Sequence, residues 1–137
     1  MQHHLWFGGI FLVTSCAQPF AAKSSMQISA TPDQTFECAR KQLDSLGYQR
    51  TSYDTDARRV NAMKIDMKTR RSDTQFRRML DKLEVEVTPQ PDGKTGMQVA
   101  ARTFAEYTTQ RGPTEVEEKP SQEVRSAAQK LLDRCRS

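Results

Sequence analysis

Residues 83–103 read Leu83-Glu84-Val85-Glu86-Val87-Thr88-Pro89-Gln90-Pro91-Asp92-Gly93-Lys94-Thr95-Gly96-Met97-Gln98-Val99-Ala100-Ala101-Arg102-Thr103. Leu83, Val85 and Val87 alternate with Glu84, Glu86 and Thr88, the two-residue period of a strand that buries one face and wets the other. Pro89 to Gly93 is a cluster of turn formers. Met97, Val99, Ala101 and Thr103 then resume the alternation on the return path. This pattern predicts an antiparallel hairpin. Its apolar face has to be covered by whatever else the chain builds.

Working towards the N-terminus, Phe76, Met79 and Leu80 have helical spacing, but residues 70–81 are too few to separate helix from strand. Met63, Ile65 and Met67 alternate with Lys64, Asp66 and Lys68, which predicts a half-buried strand with a charged outer face. Val60 and Ala62 lie on the opposite parity, so a bulge is expected near Ala62. Tyr48 opens this strand region, with a polar break over 54–59. Ahead of it, Thr31-Pro32-Asp33-Gln34 forms a capping box with proline at the first helical position. Phe36, Ala39, Leu43 and Leu46 share one helical face and Gly47 stops it, giving a helix over about 32–46. Met26, Ile28 and Ala30 suggest a short first strand. Beyond the hairpin, residues 108–120 read as a polar loop containing Gly112, Pro113 and Pro120. Ser121 then caps a last helix whose apolar face is Val124, Ala127, Ala128, Leu131 and Cys135. The expected order is β-α-β-β-β-α. The class is α+β, an antiparallel sheet with two helices packed on one face.

The first residues are of another kind. Leu5 to Val13 is an apolar run, far short of the roughly 20 residues that span a bilayer, and so fits a signal-peptide core. Residues 1–15 contain no Lys, Arg, Asp or Glu; His3 and His4 stand where a basic residue is usual. Val13-Thr14-Ser15-Cys16 resembles the lipobox of bacterial lipoproteins: an aliphatic residue, two small ones, then cysteine. The resemblance implies that the Cys16 thiol takes a diacylglyceryl group and that a peptidase cuts before it. It further implies that the new amine is often acylated. Several acyl chains anchor a protein stably. The domain organisation expected is a signal peptide over 1–15, a lipid-anchored tether over 16–25 and one α+β domain over 26–137. Ala17, where an aspartate would signal inner-membrane retention in such families, implies the outer membrane, facing the periplasm. The competing readings are an ordinary secretory signal cut after Ala17 and an apolar N-terminal strand of a cytosolic protein.

The remaining residue inventory excludes several chemistries. Both histidines precede Cys16, so the processed chain has none. That rules out Ser-His-Asp and Cys-His catalysis and histidine-ligated zinc. There is no glycine-rich phosphate loop and no Gly-x-Ser-x-Gly elbow, and no acidic pair on an apolar background that would shift a pKa. No enzyme activity, metal or cofactor is expected. Cys38 and Cys135, one on each helix, become an even pair once Cys16 is lipidated. An oxidising compartment would favour a disulfide between them. The alternative is two small core thiols, which suits Cys135 on its apolar stripe better than Cys38, which lies well off the centre of its helix's apolar face.

Nine cations fall between residues 58 and 82: Arg58, Arg59, Lys64, Lys68, Arg70, Arg71, Arg77, Arg78 and Lys82, against Asp66, Asp73 and Asp81. The functional reading is a contact with anionic lipid, peptidoglycan or an acidic envelope protein, with Arg58, Arg59, Lys64, Lys68, Arg70 and Arg71 at its centre. The competing reading is a solvated sheet face that needs no partner. Nucleic acid is not expected, because only Phe76 supplies an aromatic ring in the window. The run from Phe36 to Gly47-Tyr48, then a polar break and an alternating strand, is similar in periodicity to small helix-on-sheet envelope lipoproteins. Accessory lipoproteins of the outer-membrane assembly machinery are of that kind. The expected function is a membrane-anchored structural or interaction module. The alternative is a secreted periplasmic ligand-binding or enzymatic domain without an anchor.

Overall fold

The computed structural model describes residues 20–136. Its elements are β1 (Ala22–Ile28), α1 (Pro32–Ser45), β2 (Gln49–Asp54), β3 (Arg59–Asp66), β4 (Phe76–Pro89), β5 (Thr95–Thr109), β6 (Gly112–Glu118) and α2 (Gln122–Arg134). The fold is α+β. Six antiparallel strands form one sheet in the order β1-β5-β4-β3-β2, with β6 also on β5. β5 is long enough to take two partners end to end along its outer edge. β1 pairs with Thr95–Ala101 and β6 with Thr103–Thr109. The sheet therefore has a near half, around the β4–β5 turn, and a far half, around the β5–β6 turn.

The hairpin read from the sequence is the β4–β5 ribbon, in the register Leu83↔Ala101, Val85↔Val99 and Val87↔Met97. Those six side chains face the helices. They join Ile28, Val60 and Ala62 with Phe36, Ala39 and Leu43 of α1 and Val124, Ala128, Leu131 and Leu132 of α2 in one buried cluster. The Thr31 capping box forms as expected: Thr31 Oγ1 accepts from the Gln34 amide and Gln34 Oε1 accepts from the Thr31 amide, both at 3.2 Å. Gly47, at φ +84°, takes the left-handed turn that ends α1, a conformation side chains resist. Ser121 caps α2, its hydroxyl accepting from the Val124 amide at 3.1 Å.

The strand count exceeds the expected β-α-β-β-β-α order by two. Residues 48–67 are a hairpin of two strands, not one interrupted strand, turning at Asp54 to Arg58 with the Ala57 amide donating to Asp54 Oδ1 at 3.0 Å. The segment read as a polar loop over 108–120 contains β6. Gly-Pro-Thr-Glu-Val-Glu-Glu has no apolar alternation, because this edge strand is held by backbone pairing and charge, not by burial. Pro113 is tolerated at such an edge. Residues 76–81, left open between helix and strand, begin β4. A register shift between Phe76 and Arg78 interrupts the two-residue period, and this produces the false helical spacing of Phe76, Met79 and Leu80.

Two further corrections concern facing and extent. The irregularity expected near Ala62 lies across the ladder, in β2 between Arg50 and Ser52. β3 itself runs without a break. Val60 and Ala62, paired with Val85 and Leu83, therefore set its inward parity, and Met63 and Ile65 point to the open face away from the helices. β1 begins at Ala22, inside the stretch read as a tether over 16–25. Ala22 and Ser24 are small enough to face α2 while Lys23 and Ser25 face out, so the strand has little hydrophobic signal.

Candidate functional site

The far half of the sheet extends past the helices. The buried cluster that includes both helices ends at Leu83 and Ala101. Beyond it lie Phe76, Met79, Ala105 and Tyr107, with the 67–75 loop reaching across to β6. Arg71 closes this loop. Its guanidinium makes a two-pronged bond to the Glu118 carboxylate, both contacts at 2.6 Å, and a third to the Tyr107 hydroxyl at 3.0 Å. It also sits 5.2 Å from the centroid of the Phe76 ring, which meets Tyr107 edge to face. The paired charges hold each other ionised: Glu118 is pushed below the usual carboxylate range by the Arg71 bond, and Arg71 above the usual guanidinium value by Glu118 first and Tyr107 second.

At the border of the two halves sits Asp81, a buried carboxylate on the inward face of β4. Thr103 donates its hydroxyl to it at 2.6 Å, and the Ser121 hydroxyl donates at 3.0 Å to both carboxylate oxygens. The Ser121 amide donates to Thr103 Oγ1 at 2.9 Å, which closes the network. Burial raises the Asp81 carboxyl above its ordinary range despite these bonds. Neighbouring Tyr48 is also buried; its phenol is pushed up by desolvation and then by the charges of Asp81 and Glu123. Asp81 is a single buried carboxylate, a case that the expectation of no acidic pair on an apolar background did not cover. The signal was present: the parity Met79-Asp81-Leu83-Val85-Val87 puts a charge on the core side. Its hydroxyl partners tie the first turn of α2 to the sheet.

The six cations singled out from the sequence do not make one face. Arg58, in the β2–β3 turn, bonds Asp33 of α1 at 2.9 Å. Arg59 lies on the open face against Glu86 at 3.3 Å. Lys64 is on the inward parity, its ammonium 3.4 Å from the Leu46 carbonyl and 5.8 Å from the Tyr48 ring centroid. Arg71 is the loop clasp, and Lys68 and Arg70 lie beside it in the 67–75 loop. The rest of the basic run is largely neutralised across strands: Arg78 by Glu106 at 3.0 Å and Lys82 by Glu115 at 2.7 Å. Arg102 bridges Glu84 and Glu117. Counting charge along the chain could not show this, because most of the balancing carboxylates lie outside the window and meet it only through the sheet register. On the open face, Lys23, Arg59, Asn61, Glu84, Glu86 and Arg102 line a shallow groove of about 370 Å³.

Cys38 and Cys135 are joined by a disulfide, with Cα atoms 5.8 Å apart. Cys38 sits off the centre of the α1 apolar face because that flank turns towards α2. Val13, Thr14, Ser15 and Cys16 lie outside the described residues. Among the described residues no helix is long and apolar enough to cross a membrane, and no group of three or more His, Cys, Asp or Glu side chains could hold a metal.

No family model matches the chain, and no curated protein does. Among solved structures it is similar to a DUF4468 family protein from Bacteroides ovatus, at 12% identity and a TM-score of 0.39, over 84% of this chain and 78% of that one.

Proposed function

We propose that the chain is an envelope lipoprotein, anchored through acyl groups on Cys16, whose domain serves as a structural or interaction module and not as an enzyme. The carrying observation is the cysteine pairing. The chain has three cysteines; Cys38 and Cys135 are bridged, and the odd one stands at the end of Val13-Thr14-Ser15-Cys16. A bridge between helices belongs to an oxidising compartment, and an unpaired cysteine in an exported chain calls for another fate. Lipidation supplies one. The interaction role draws support from the side chains: the buried carboxylate is occupied in capping α2, and the charges of the open face are spent largely on each other.

The test is detergent-phase partition of the protein and of Cys16→Ala from the native host. The wild type enters the detergent phase as a shortened chain, and the variant remains uncleaved or stays in the aqueous phase. A variant that still partitions and matures normally contradicts the anchor and favours a secreted periplasmic domain. With Ala17 after the modified cysteine, fractionation is expected to place the protein in the outer membrane.

A further inference from the structure

We infer that the far end of the sheet is a docking surface for anionic phospholipid, turned towards the bilayer by the anchor; this rests on the lipoprotein reading above. The first observation is direction. Followed backwards, β1 runs along β5 from Ile28 opposite Thr95 to Ala22 opposite Ala101. Read from Ile28 back to Ala22, β1 is thus directed towards the end formed by the 67–75 loop and the Thr109–Gly112 turn. Cys16 and Ala22 are six positions apart, at most about 20 Å of chain. From Ala101 to Thr109, β5 continues for about 27 Å. These lengths are comparable, so lipid on Cys16 brings the far end to headgroup level.

The second observation is charge. Lys68, Arg70, Arg77 and Arg111 stand at the far end without a carboxylate partner among the described residues. The nearby acids are Asp66, within reach of the Lys68 charge and bonded by the Lys68 and Thr69 amides and the Thr69 hydroxyl, and Asp73, bonded by the Gln75 amide, so four cations face two carboxylates. The near end is reversed: Asp33, Asp54, Asp56 and Asp92 against Arg58 and Lys94. An anionic leaflet attracts one end and repels the other.

The third observation is apolar exposure. Of the five large hydrophobic side chains exposed on the described domain, Ile65, Met67 and Val116 belong to the far half, and Phe20 lies just before β1. Met67 stands directly beside Lys68. Apolar side chains set among cations match the boundary between headgroups and acyl chains. Arg71, held by Glu118, shapes the loop without spending its charge on lipid.

Two lysines serve as reporters, Lys68 at the far end and Lys94 in the β4–β5 turn at the near end. The lipidated protein is reconstituted on vesicles of phosphatidylcholine alone or with one third phosphatidylglycerol. It is then acetylated with a water-soluble amine reagent and read by peptide mass. On the anionic vesicles Lys68 is modified about fivefold more slowly, the change expected from roughly one surface cation's attraction, while Lys94 reacts equally on both. Arg70→Gln/Arg77→Gln/Arg111→Gln, which alters exposed side chains only, returns Lys68 to its rate on phosphatidylcholine. Equal Lys68 rates on vesicle-bound wild-type protein overturn the docking surface and leave the anchor standing. Protein that stays free of both vesicle types overturns anchor and docking together.

Discussion

The near and far halves of the β4–β5 ribbon share one sheet but are held by different forces. In the near half, Leu83, Val85, Val87, Met97, Val99 and Ala101 disappear under two helices that a disulfide ties together. In the far half the buried apolar side chains are fewer, Met79, Leu80 and Ala105, and lie outside the cluster that includes the helices; there Arg71–Glu118, Arg78–Glu106 and Lys82–Glu115 reach between strands and loop. Burial of apolar area is non-directional and strong, whereas partly exposed ion pairs contribute little each but fix geometry. The near half therefore carries most of the stability. The far half is free to carry contacts and to open locally without unfolding the domain.

The contrast is broken most severely by a cavity in the near half. Leu83→Ala removes a fully buried side chain between both helices and the sheet, and is expected to cost about 3 kcal/mol in denaturant unfolding. A loss below about 1 kcal/mol would deny this half its dominant role. The paired change Cys38→Ser/Cys135→Ser opens a bridge between residues 97 apart in sequence. A loss of about 2–4 kcal/mol is expected, seen as a lower Tm with the circular dichroism spectrum retained, since each helix still has its own apolar stripe. Collapse of the fold would mean that the helices depend on the bridge.

In the far half the same kind of experiment gives a smaller and more local answer. Arg71→Ala is expected to cost about 1 kcal/mol or less, because both partners are about one-third exposed. Amide exchange should rise in the 67–75 loop and β6 while the near half stays protected. Exchange rising equally in Leu83 to Val87 would show that the halves are not separable.

The smallest effect sharpens the border between them. Because the folded state raises the Asp81 carboxyl above its unfolded value, its contribution to stability is fully present at pH below the unfolded value and is lost as pH rises through the folded one. Asp66 and Glu118 have the opposite sign. Their lowered values contribute stability present above their unfolded range and lost as pH falls through the folded one. Asp81→Asn keeps an acceptor for Thr103 and Ser121 without the buried charge. It should leave stability at neutral pH unchanged or slightly higher, and should flatten the acid side of the wild-type stability profile. A marked loss at neutral pH would mean that the ionised form holds the α2 cap.

The division between the halves also marks where the sequence is legible. The capping box at Thr31, the stop at Gly47, both helices and the β4–β5 hairpin follow from local rules, because burial imprints its period on the residues that do the burying. β6 and the start of β1 carry no such imprint. Their side chains are mostly exposed, and their partner is an edge of β5 far away in sequence. The start of β4 misleads because one extra residue at Arg77 shifts the period. The basic run misleads for a related reason: five of its nine cations meet carboxylates that only the three-dimensional register brings near. Asp81 was readable, since it breaks an apolar parity that continues on both sides of it.

Anchoring through Cys16 is tested most directly by the intact mass of the protein taken from its native host. The expected species is a chain of residues 16–137 that is heavier than its sequence by a glyceryl group and acyl chains, and lighter by the two hydrogens lost to the Cys38–Cys135 bridge. A lipid-free chain, whether beginning at residue 1 or cut after Ala17, would contradict it.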